Sequence, residues 1–262
     1  MNELQLELTT SCNSNCTMCL RSELDRGIGL MDFDFAKKVI DDSWDMGARM
    51  IKPQWFGEST IHPYWIKVIS YAKEKGMRIM IVTNGSLLDD KKAQDLVRIK
   101  ADKVFFSIDS AIPEEYEKIR RGLKFGVVTY NLNYLYELKQ KEFPEMQVIV
   151  TAVDLGNDNT KGMRELFKDM CDVVSINKET DFTSKIDRNK DIEVDCPHNV
   201  DGRLIVAYDG KCYLCCHDWL GKYFIGDLNE NTMQEIWHSE RRLNFIKNLG
   251  KLEICKRCIK SR

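Results

Sequence analysis

Short apolar runs alternate with longer amphipathic stretches from the N terminus to residue 178. Six runs rich in apolar and β-branched residues are typical of buried strands: Leu4–Leu8, Met50–Trp55, Arg78–Val82, Lys103–Ile108, Gln147–Ala152 and Val173–Ile176. Five stretches between them have apolar residues at helical spacing: Asp32–Trp44, Pro63–Lys75, Asp89–Arg98, Val127–Gln140 and Thr160–Asp169. Because such alternation joins parallel strands through crossover helices, the pattern predicts an α/β fold.

The number of strands limits the architecture. Six βα units are fewer than the eight of a closed TIM-type barrel, so we expect a partial (β/α)6 TIM-type barrel with one open side. After residue 178 the stretch 179–194 is polar and charged, and the remaining chain has a different pattern. We therefore predict a barrel over 1–178, a linker over 179–194 and a small C-terminal domain over 195–262 that covers the open side.

The C-terminal segment has the pattern of a hairpin followed by helices. Leu204–Tyr208 and Lys211–Leu214 flank Asp209-Gly210, which is typical of a β-hairpin turn. Helices are predicted over Thr232–His238 and Arg241–Leu249. Because a domain of this size has little room for an apolar core, we expect a metal site to stabilise it.

Composition and charge narrow the class of protein. The 262 residues are 43% hydrophobic, and 39 Lys and Arg against 41 Asp and Glu leave a net charge of -2. The chain has no block of basic residues, no apolar window long enough to cross a membrane, and no signal-peptide pattern at its N terminus. We expect a cytoplasmic globular protein without nucleic-acid or membrane partners.

The ten cysteines carry the candidate chemistry. In a reducing compartment they are better interpreted as metal or cluster ligands than as disulfides. Cys12, Cys16 and Cys19 form a Cys-x3-Cys-x2-Cys set directly after the first predicted strand. Structural zinc needs four closed ligands, whereas iron–sulfur clusters are held by thiolates. Three thiolates therefore favour an iron–sulfur cluster with one iron open to an external ligand; the alternatives are zinc completed from a distant part of the chain and buried, unrelated thiols.

A second cysteine set lies in the C-terminal segment. A closed site for a four-iron cluster or zinc is predicted from Cys196, Cys215, Cys255 and Cys258. Strand alternation predicts Cys212 and Cys216 on one face and Cys215 on the other. Cys216 is thus an alternative ligand, although the Gly-x4-Cys spacing favours Cys215.

Further motifs follow the predicted strands in order. The barrel contributes Gly57-Glu58, Thr83-Asn84-Gly85 and Ser107-Ile108-Asp109, and the C-terminal segment contributes Cys196-Pro197, Gly210-x4-Cys215, Glu235-Ile236-Trp237 and Cys255-x2-Cys258. Together with the cysteine triplet they resemble the radical S-adenosylmethionine (SAM) enzymes, in the SPASM/twitch branch with one auxiliary iron–sulfur cluster. The chain departs from the usual family pattern at Phe56-Gly57-Glu58-Ser59, where Gly-Gly-Glu-Pro is common, and at Met18, where an aromatic residue is usual.

The resemblance implies SAM and two 4Fe-4S clusters as cofactors. The triplet would hold the first cluster, whose open iron binds the amino and carboxylate groups of SAM. An electron from that cluster, delivered by a flavodoxin or ferredoxin-type donor, would cleave SAM to methionine and a 5′-deoxyadenosyl radical that abstracts a substrate hydrogen atom. The auxiliary cysteines would hold the second cluster.

The resemblance also implies roles for the strand-end motifs. Gly57 and Glu58 would meet the SAM amino group, Ser107 and Asp109 would lie near its ribose or carboxylate, and Thr83 and Asn84 would line the pocket. From the residues alone, Asn84-Gly85 is equally typical of a plain turn and Asp109 of a helix N-cap. The predicted strand ends nevertheless bring such residues to the catalytic face of a β/α barrel.

Within the family, the chain resembles compact alcohol dehydrogenases. We expect oxidation of a small-molecule alcohol, sugar or aminocyclitol-like, to a ketone, with the auxiliary cluster as electron acceptor. Lys178, at the end of the sixth predicted strand, could hold a substrate hydroxyl or assist its deprotonation, or be a surface lysine of the linker.

Three alternatives remain open. One is a peptide-modifying maturase that makes thioether or other crosslinks, although a first strand close to the N terminus favours a small-molecule substrate. Another is an epimerase that uses a free thiol, from Cys171, Cys212 or Cys216, as hydrogen donor; Cys171 is expected to serve packing. The third is a non-catalytic cluster scaffold or redox sensor.

Overall fold

The structure is a computed structural model that describes residues 1–156, 158–178, 196 and 200–257. The strands are β1 (Glu3–Leu6), β2 (Met50–Lys52), β3 (Arg78–Thr83), β4 (Lys103–Ser107), β5 (Gln147–Asp154), β6 (Val173–Lys178), β7 (Arg203–Val206), β8 (Lys211–Tyr213) and β9 (Phe224–Asp227). The α-helices are α1 (Phe33–Asp45), α2 (Trp65–Glu74), α3 (Asp90–Arg98), α4 (Pro113–Ile119), α5 (Phe125–Glu142), α6 (Met163–Leu166), α7 (Met233–His238), α8 (Glu240–Lys247) and α9 (Glu253–Arg257). Short 3-10 helices cover Leu20–Glu23 and Ser59–Ile61.

One mixed sheet forms the centre of the fold. Its order is β6-β5-β4-β3-β2-β1-β7-β8-β9. The strands β1 to β6 pair in parallel and follow one another along the chain. The predicted α/β fold with a partial barrel of parallel strands is confirmed.

The two faces of the sheet have different surroundings. Val104 and Phe106 of β4, like Val148 and Val150 of β5, are fully buried in the core with residues of α5. Their neighbours on the opposite surface, which we call the inner face, are Phe105, Ser107, Ile149 and Thr151. Register continues the inner face to Val82 on β3 and to Val173, Ser175 and Asn177 on β6.

The C-terminal segment extends this sheet from its β1 edge. β7 pairs in parallel with β1, from Glu3 opposite Arg203 to Leu6 opposite Val206. β8 and β9 then follow as antiparallel neighbours. The predicted hairpin is confirmed, and Gly210 in its turn has a φ of 90°, which glycine adopts without strain. The last strand of the C-terminal segment, β9, was not predicted.

Some predicted boundaries were wrong. The second strand ends at Lys52 rather than Trp55, because the chain leaves the sheet to make tertiary contacts through Gln54 and Trp55. Helix α4, which begins with Pro113 at a favourable first-turn position, was missed. The helix predicted over Thr160–Asp169 is reduced to Met163–Leu166.

Two predicted features lie outside the described residues: the linker over 179–194 and the cluster ligand Cys258. Among the residues that are described, no helix combines the length and apolar character needed to cross a bilayer.

Candidate functional site

The cysteine triplet lies in the loop after β1. Cys12 and Cys16 are partly buried, Cys19 is exposed, and all three thiols are free. The Cys19 amide donates to the Cys16 carbonyl at 3.1 Å, which closes a tight turn between the two. Desolvation of the thiol raises the pKa of Cys12 and also that of Cys19, although the residue Cys19 as a whole is exposed, and the charge of bound iron would favour the ionised ligands.

Hydrogen-bonding groups surround the sulfur atoms. Arg120 Nη1 lies 3.8 Å from Cys16 Sγ, and Asn84 Nδ2 lies 4.0 Å from Cys12 Sγ. The hydroxyl of buried Ser14 is 3.1 Å from Cys16 Sγ. Neither Ser14 nor Arg120 was predicted, since Arg120 is distant in sequence and follows a helix that the pattern did not reveal.

The set fits a cluster better than a single ion. Among the described residues, no three His, Cys, Asp or Glu side chains are close enough together to hold one metal ion. A four-iron cluster binds each thiolate at a different iron and therefore holds its ligands farther apart. Donors beside the sulfurs, such as Arg120 and Asn84, suit thiolate ligands.

Gly57 lets the loop after β2 approach the cysteine loop. Its φ is 81°, and a Cβ at this position would lie 2.4 Å from the Thr9 carbonyl oxygen and 2.7 Å from that of Ser11. The Glu58 amide donates to the same Ser11 oxygen at 2.7 Å. Only glycine fits this approach of two backbones.

Glu58 ties two loops together from inside the protein. Its side chain is buried, and Oε1 accepts from the amide and hydroxyl of Thr60 at 3.2 and 2.8 Å and from the Thr83 hydroxyl at 2.9 Å. Oε2 accepts from the Asn84 amide at 2.7 Å. The carboxylate is thus engaged by the loops after β2 and β3, and contact of Glu58 with SAM stays a prediction.

Asn84 links the loop after β3 to the cysteine loop. Its Nδ2 donates to Asn13 Oδ1 at 2.9 Å, while its Oδ1 accepts from the amide and hydroxyl of Ser86 at 2.9 and 2.7 Å. Asn13 Nδ2 donates in turn to the Ser86 hydroxyl at 2.8 Å. Gly85 has a φ of 77°, so the plain turn is present as well, and Asn84 does more than form it.

Asp109 is fully buried after β4 and binds Arg120. Its Oδ2 accepts from Arg120 Nε at 2.6 Å, and its Oδ1 accepts from the Val153 amide at 2.8 Å. The alternative of a helix N-cap is wrong for Asp109, because α4 begins later, with Ile112 in that position. Asp109 instead joins β5 to the residue beside Cys16.

The remaining predicted site residues occupy different places. Ser107 lies on the inner face, in register with Thr151 and through it with Ser175. Thr83 is buried and serves the Glu58 network. Lys178 is the last residue of β6, opposite Asp154 in register, and its side chain is outside the described part of the structure.

Trp55 connects the barrel with the second cysteine set. Its indole Nε1 donates to the Cys216 carbonyl at 2.7 Å. The ring packs with Ile205 and lies 5.0 Å from the Tyr213 ring, and the Arg26 guanidinium lies 4.4 Å above it. Ile205 alternates on β7 with helix-packed core residues, so this cluster extends the inner face.

A buried ion pair supports this junction. Glu7 binds both terminal nitrogens of Arg26, and its carboxylate also accepts from the amides of Phe56 at 3.2 Å and Tyr208 at 3.4 Å. Glu7 follows β1 and Tyr208 follows β7, so the pair joins the barrel to the C-terminal segment. Neither partner was predicted from the sequence, because neither belongs to a motif.

Electrostatic interactions connect Cys215 with Cys216 and Cys255, and Cys255 with Cys196. A hydrogen bond between the adjacent thiols raises the pKa of Cys215 and lowers that of Cys216. The Cys255 thiol also raises the pKa of Cys215. The pKa of Cys255 is itself raised, mainly by burial and to a smaller extent by the Cys196 thiol. These interactions are consistent with one cysteine site that includes Cys196, Cys255 and either Cys215 or Cys216, and the ligand set stays a prediction.

The predicted alternation of the hairpin cysteines was wrong. β8 ends at Tyr213, so Cys215 and Cys216 lie beyond the strand and do not follow its two faces. Cys212 is fully buried in the helix-packed core. Cys171 is buried too, with its thiol 3.3 Å from the Phe167 carbonyl, which confirms its predicted packing role.

Comparisons with known proteins identify the families that the two parts of the chain match. Residues 6–170 match the radical SAM superfamily, and residues 196–259 match SPASM, an iron–sulfur cluster-binding domain. A tungsten-containing aldehyde ferredoxin oxidoreductase cofactor-modifying protein of Pyrococcus furiosus is 30% identical over 168 residues, which are 63% of this chain and 47% of that protein. A probable GTP 3',8-cyclase of Methanococcus maripaludis is 33% identical over 124 residues, 47% of this chain and 41% of that protein. The matches thus span about half the length of these relatives or less.

Solved structures share the fold. BtrN in complex with S-adenosylmethionine and 2-DOIA is 19% identical, with a TM-score of 0.62 over 99% of this chain and 93% of that one. Streptococcus suis SuiB bound to the precursor peptide SuiA is 13% identical, with a TM-score of 0.74 over 98% of this chain and 69% of that one. The chain belongs to the radical SAM superfamily, and it carries a C-terminal SPASM-type iron–sulfur domain.

Proposed function

We propose that this radical SAM enzyme is an oxidoreductase that converts a small-molecule alcohol, sugar or aminocyclitol-like, to a ketone, with an auxiliary 4Fe-4S cluster as electron acceptor. When bound, SAM and the reduced first cluster supply a 5′-deoxyadenosyl radical that removes a hydrogen atom from the substrate. The protein residues bind, orient and shield the reactants.

For SAM we propose a pocket formed by the loops after the first four strands. The Gly57-Glu58 backbone would face the amino group, because the Glu58 carboxylate is already engaged by Thr60, Thr83 and Asn84. Asn84 would line the pocket from the adjacent loop. Ser107 and Asp109 would lie near the ribose or carboxylate of SAM.

The Trp55–Cys216 hydrogen bond is the observation that carries the oxidoreductase proposal. Alcohol oxidation removes two electrons and two protons, and hydrogen-atom abstraction accounts for one of each. The second electron needs an acceptor near the substrate, and the second proton leaves the hydroxyl to a base or to water. An acceptor held by the second cysteine set would lie directly behind Trp55, at the margin of the inner face.

The polar side chains of the inner face favour the proposal of a hydroxylated substrate. Ser107, Thr151 and Ser175 form one row across three strands, and Asn177 follows in the next inner-face position. These side chains both donate and accept hydrogen bonds and carry no charge, which suits a polyol. Lys178, directly after Asn177, stays a candidate to hold or deprotonate a hydroxyl.

A peptide-modifying maturase is the second candidate. Val82 and Val173 on the inner face are 36% and 50% exposed, so among the described residues this face has room for an extended ligand. The similarity to SuiB with its bound precursor peptide also favours this reading. For either substrate, we propose a flavodoxin or ferredoxin-type protein as electron donor.

Product analysis distinguishes these functions. The reduced, cluster-loaded protein should form 5′-deoxyadenosine from SAM, and with the correct sugar or aminocyclitol it should yield a carbonyl product two hydrogens lighter. A crosslinked peptide would establish the maturase instead, and solvent deuterium at carbon in an isomeric product would establish an epimerase. Absence of SAM cleavage with both clusters intact would refute an enzymatic role.

Cysteine variants test the acceptor. Cys215→Ala and Cys255→Ala should retain SAM cleavage and lose ketone formation, whereas Cys171→Ala should retain both. Full ketone yield from a variant that has lost the auxiliary cluster would contradict the proposed acceptor. By iron counting and EPR, the wild type should hold two 4Fe-4S clusters and the Cys12/Cys16/Cys19 triple alanine variant one.

A further inference from the structure

Arg120 is a largely buried cation directly beside a cluster ligand. Its Nη1 lies 3.8 Å from Cys16 Sγ, and its side chain is 13% exposed. It follows the last residue of α4, and its amide donates to the Tyr116 carbonyl at 2.7 Å. A guanidinium at this position donates to a thiolate sulfur as a charge-assisted hydrogen bond.

Asp109 holds this guanidinium in place. Arg120 Nε donates to Asp109 Oδ2 at 2.6 Å, and the other carboxylate oxygen accepts from the Val153 amide at 2.8 Å. Asn159 Nδ2 donates to the Asp109 carbonyl at 2.6 Å. Arg120 is therefore anchored to the ends of β4 and β5 rather than free to turn toward solvent.

The next residue has a different role. Arg121 is exposed, and its backbone carbonyl accepts from the Ser14 hydroxyl at 3.0 Å and from the Asn15 amide at 2.9 Å. The backbone of Arg121 thus supports the cysteine loop, whereas the side chain of Arg120 reaches a ligand atom. Two adjacent arginines provide a matched pair for experiment.

We propose that Arg120 is a positioning residue that raises the reduction potential of the cluster held by Cys12, Cys16 and Cys19. Reduction adds negative charge that is shared with the thiolate sulfurs, and a hydrogen-bond donor stabilises the reduced state more than the oxidised state. Asp109 offsets the net charge of the guanidinium, so the effect acts through the directed N–H group. The inference rests on the radical SAM cluster site and is independent of the substrate and of the auxiliary cluster.

A redox titration followed by EPR tests the inference. The signal of this cluster is identified by its change on addition of SAM, and the titration is then performed without SAM to exclude effects through the cofactor. Arg120→Met should lower the reduced-to-oxidised ratio at a fixed potential about tenfold, which corresponds to a midpoint about 59 mV lower for a one-electron couple. Arg121→Met should leave the midpoint unchanged.

The Arg120→Lys variant distinguishes an effect on the reduction potential from a purely structural role. Lysine keeps the charge but cannot bind Asp109 and reach Cys16 with a rigid planar fork, so we expect a smaller shift in the same direction. A purely structural role would lower iron content or the thermal midpoint of unfolding without moving the potential. An unchanged midpoint in Arg120→Met with intact clusters would overturn the proposal; if that variant loses its cluster, an unchanged midpoint in Arg120→Lys would do so.

Discussion

Replacement of Arg26 by Met tests the junction between the barrel and the C-terminal segment. The side chains of Glu7 and Arg26 are 0% and 9% exposed, so the change leaves a carboxylate buried without its cation. Two backbone amides still donate to Glu7, but they are neutral and do not balance the charge of the carboxylate. The substitution also removes the cation that lies over the Trp55 ring.

The expected cost follows from this burial. Removing one partner of a buried ion pair destabilises a protein by about 3–5 kcal/mol, and the lost cation–π contact adds about 0.5–2 kcal/mol. Met keeps an apolar chain against Trp55 and limits the loss of packing. We therefore expect the free energy of unfolding to fall by about 3.5–7 kcal/mol near neutral pH.

The pH dependence has a definite sign. Burial raises the pKa of Glu7 in the folded protein, and Arg26 opposes that shift, so the pKa rises further in Arg26→Met. A group with a raised folded pKa favours folding below its unfolded pKa, about 4.3 for Glu, and this contribution is lost as pH rises through the folded value. The deficit of the variant relative to wild type should therefore be smaller at about pH 5 than at about pH 8.

Urea unfolding of cluster-loaded proteins at both pH values measures this effect. Lys124→Met is the control, because it removes the exposed pair with Glu117 and should cost less than about 1 kcal/mol. Adding Glu7→Gln to Arg26→Met should recover part of the loss. An Arg26→Met deficit no larger than that of the control, or one independent of pH, would refute the reasoning.

Three further outcomes are expected. Gly57→Ala should lower the free energy of unfolding by about 1–3 kcal/mol and weaken SAM binding, because the φ of Gly57 is 81° and a Cβ would collide with the Thr9 carbonyl. A SAM affinity equal to that of the wild type, measured by calorimetry, would contradict the close approach of the two loops. Cluster reconstitution should be faster at about pH 9 than at about pH 7, because burial raises the pKa of Cys12 and Cys19 and iron binds the thiolates; a rate of iron–sulfide absorbance growth that is flat with pH would count against this. Tyr116→Phe should not lower the urea midpoint, because among the described residues the buried hydroxyl has no hydrogen-bond partner; a loss above about 1 kcal/mol would show that it has one.

Much of the architecture was predictable because its signals are local. Apolar runs at strand length and amphipathic stretches at helical spacing identified the strands β1 to β6 and most of the helices between them. Helix α4 was missed because it is short and its start, at Pro113, also resembles a turn. The domain boundaries and the role of Lys178 stay predictions.

The candidate site was predictable only in part. The sequence by itself determined the cysteine triplet and the order of the strand-end motifs, because cluster ligands in one loop must obey a short spacing. Only the tertiary structure decided that Glu58 binds the loop after β3, that Arg120 reaches Cys16, and that β7 pairs with β1 to bring Cys216 to Trp55. These partners are far apart along the chain, and neither periodicity nor motif spacing carries information about which distant side chains meet when the sheet closes.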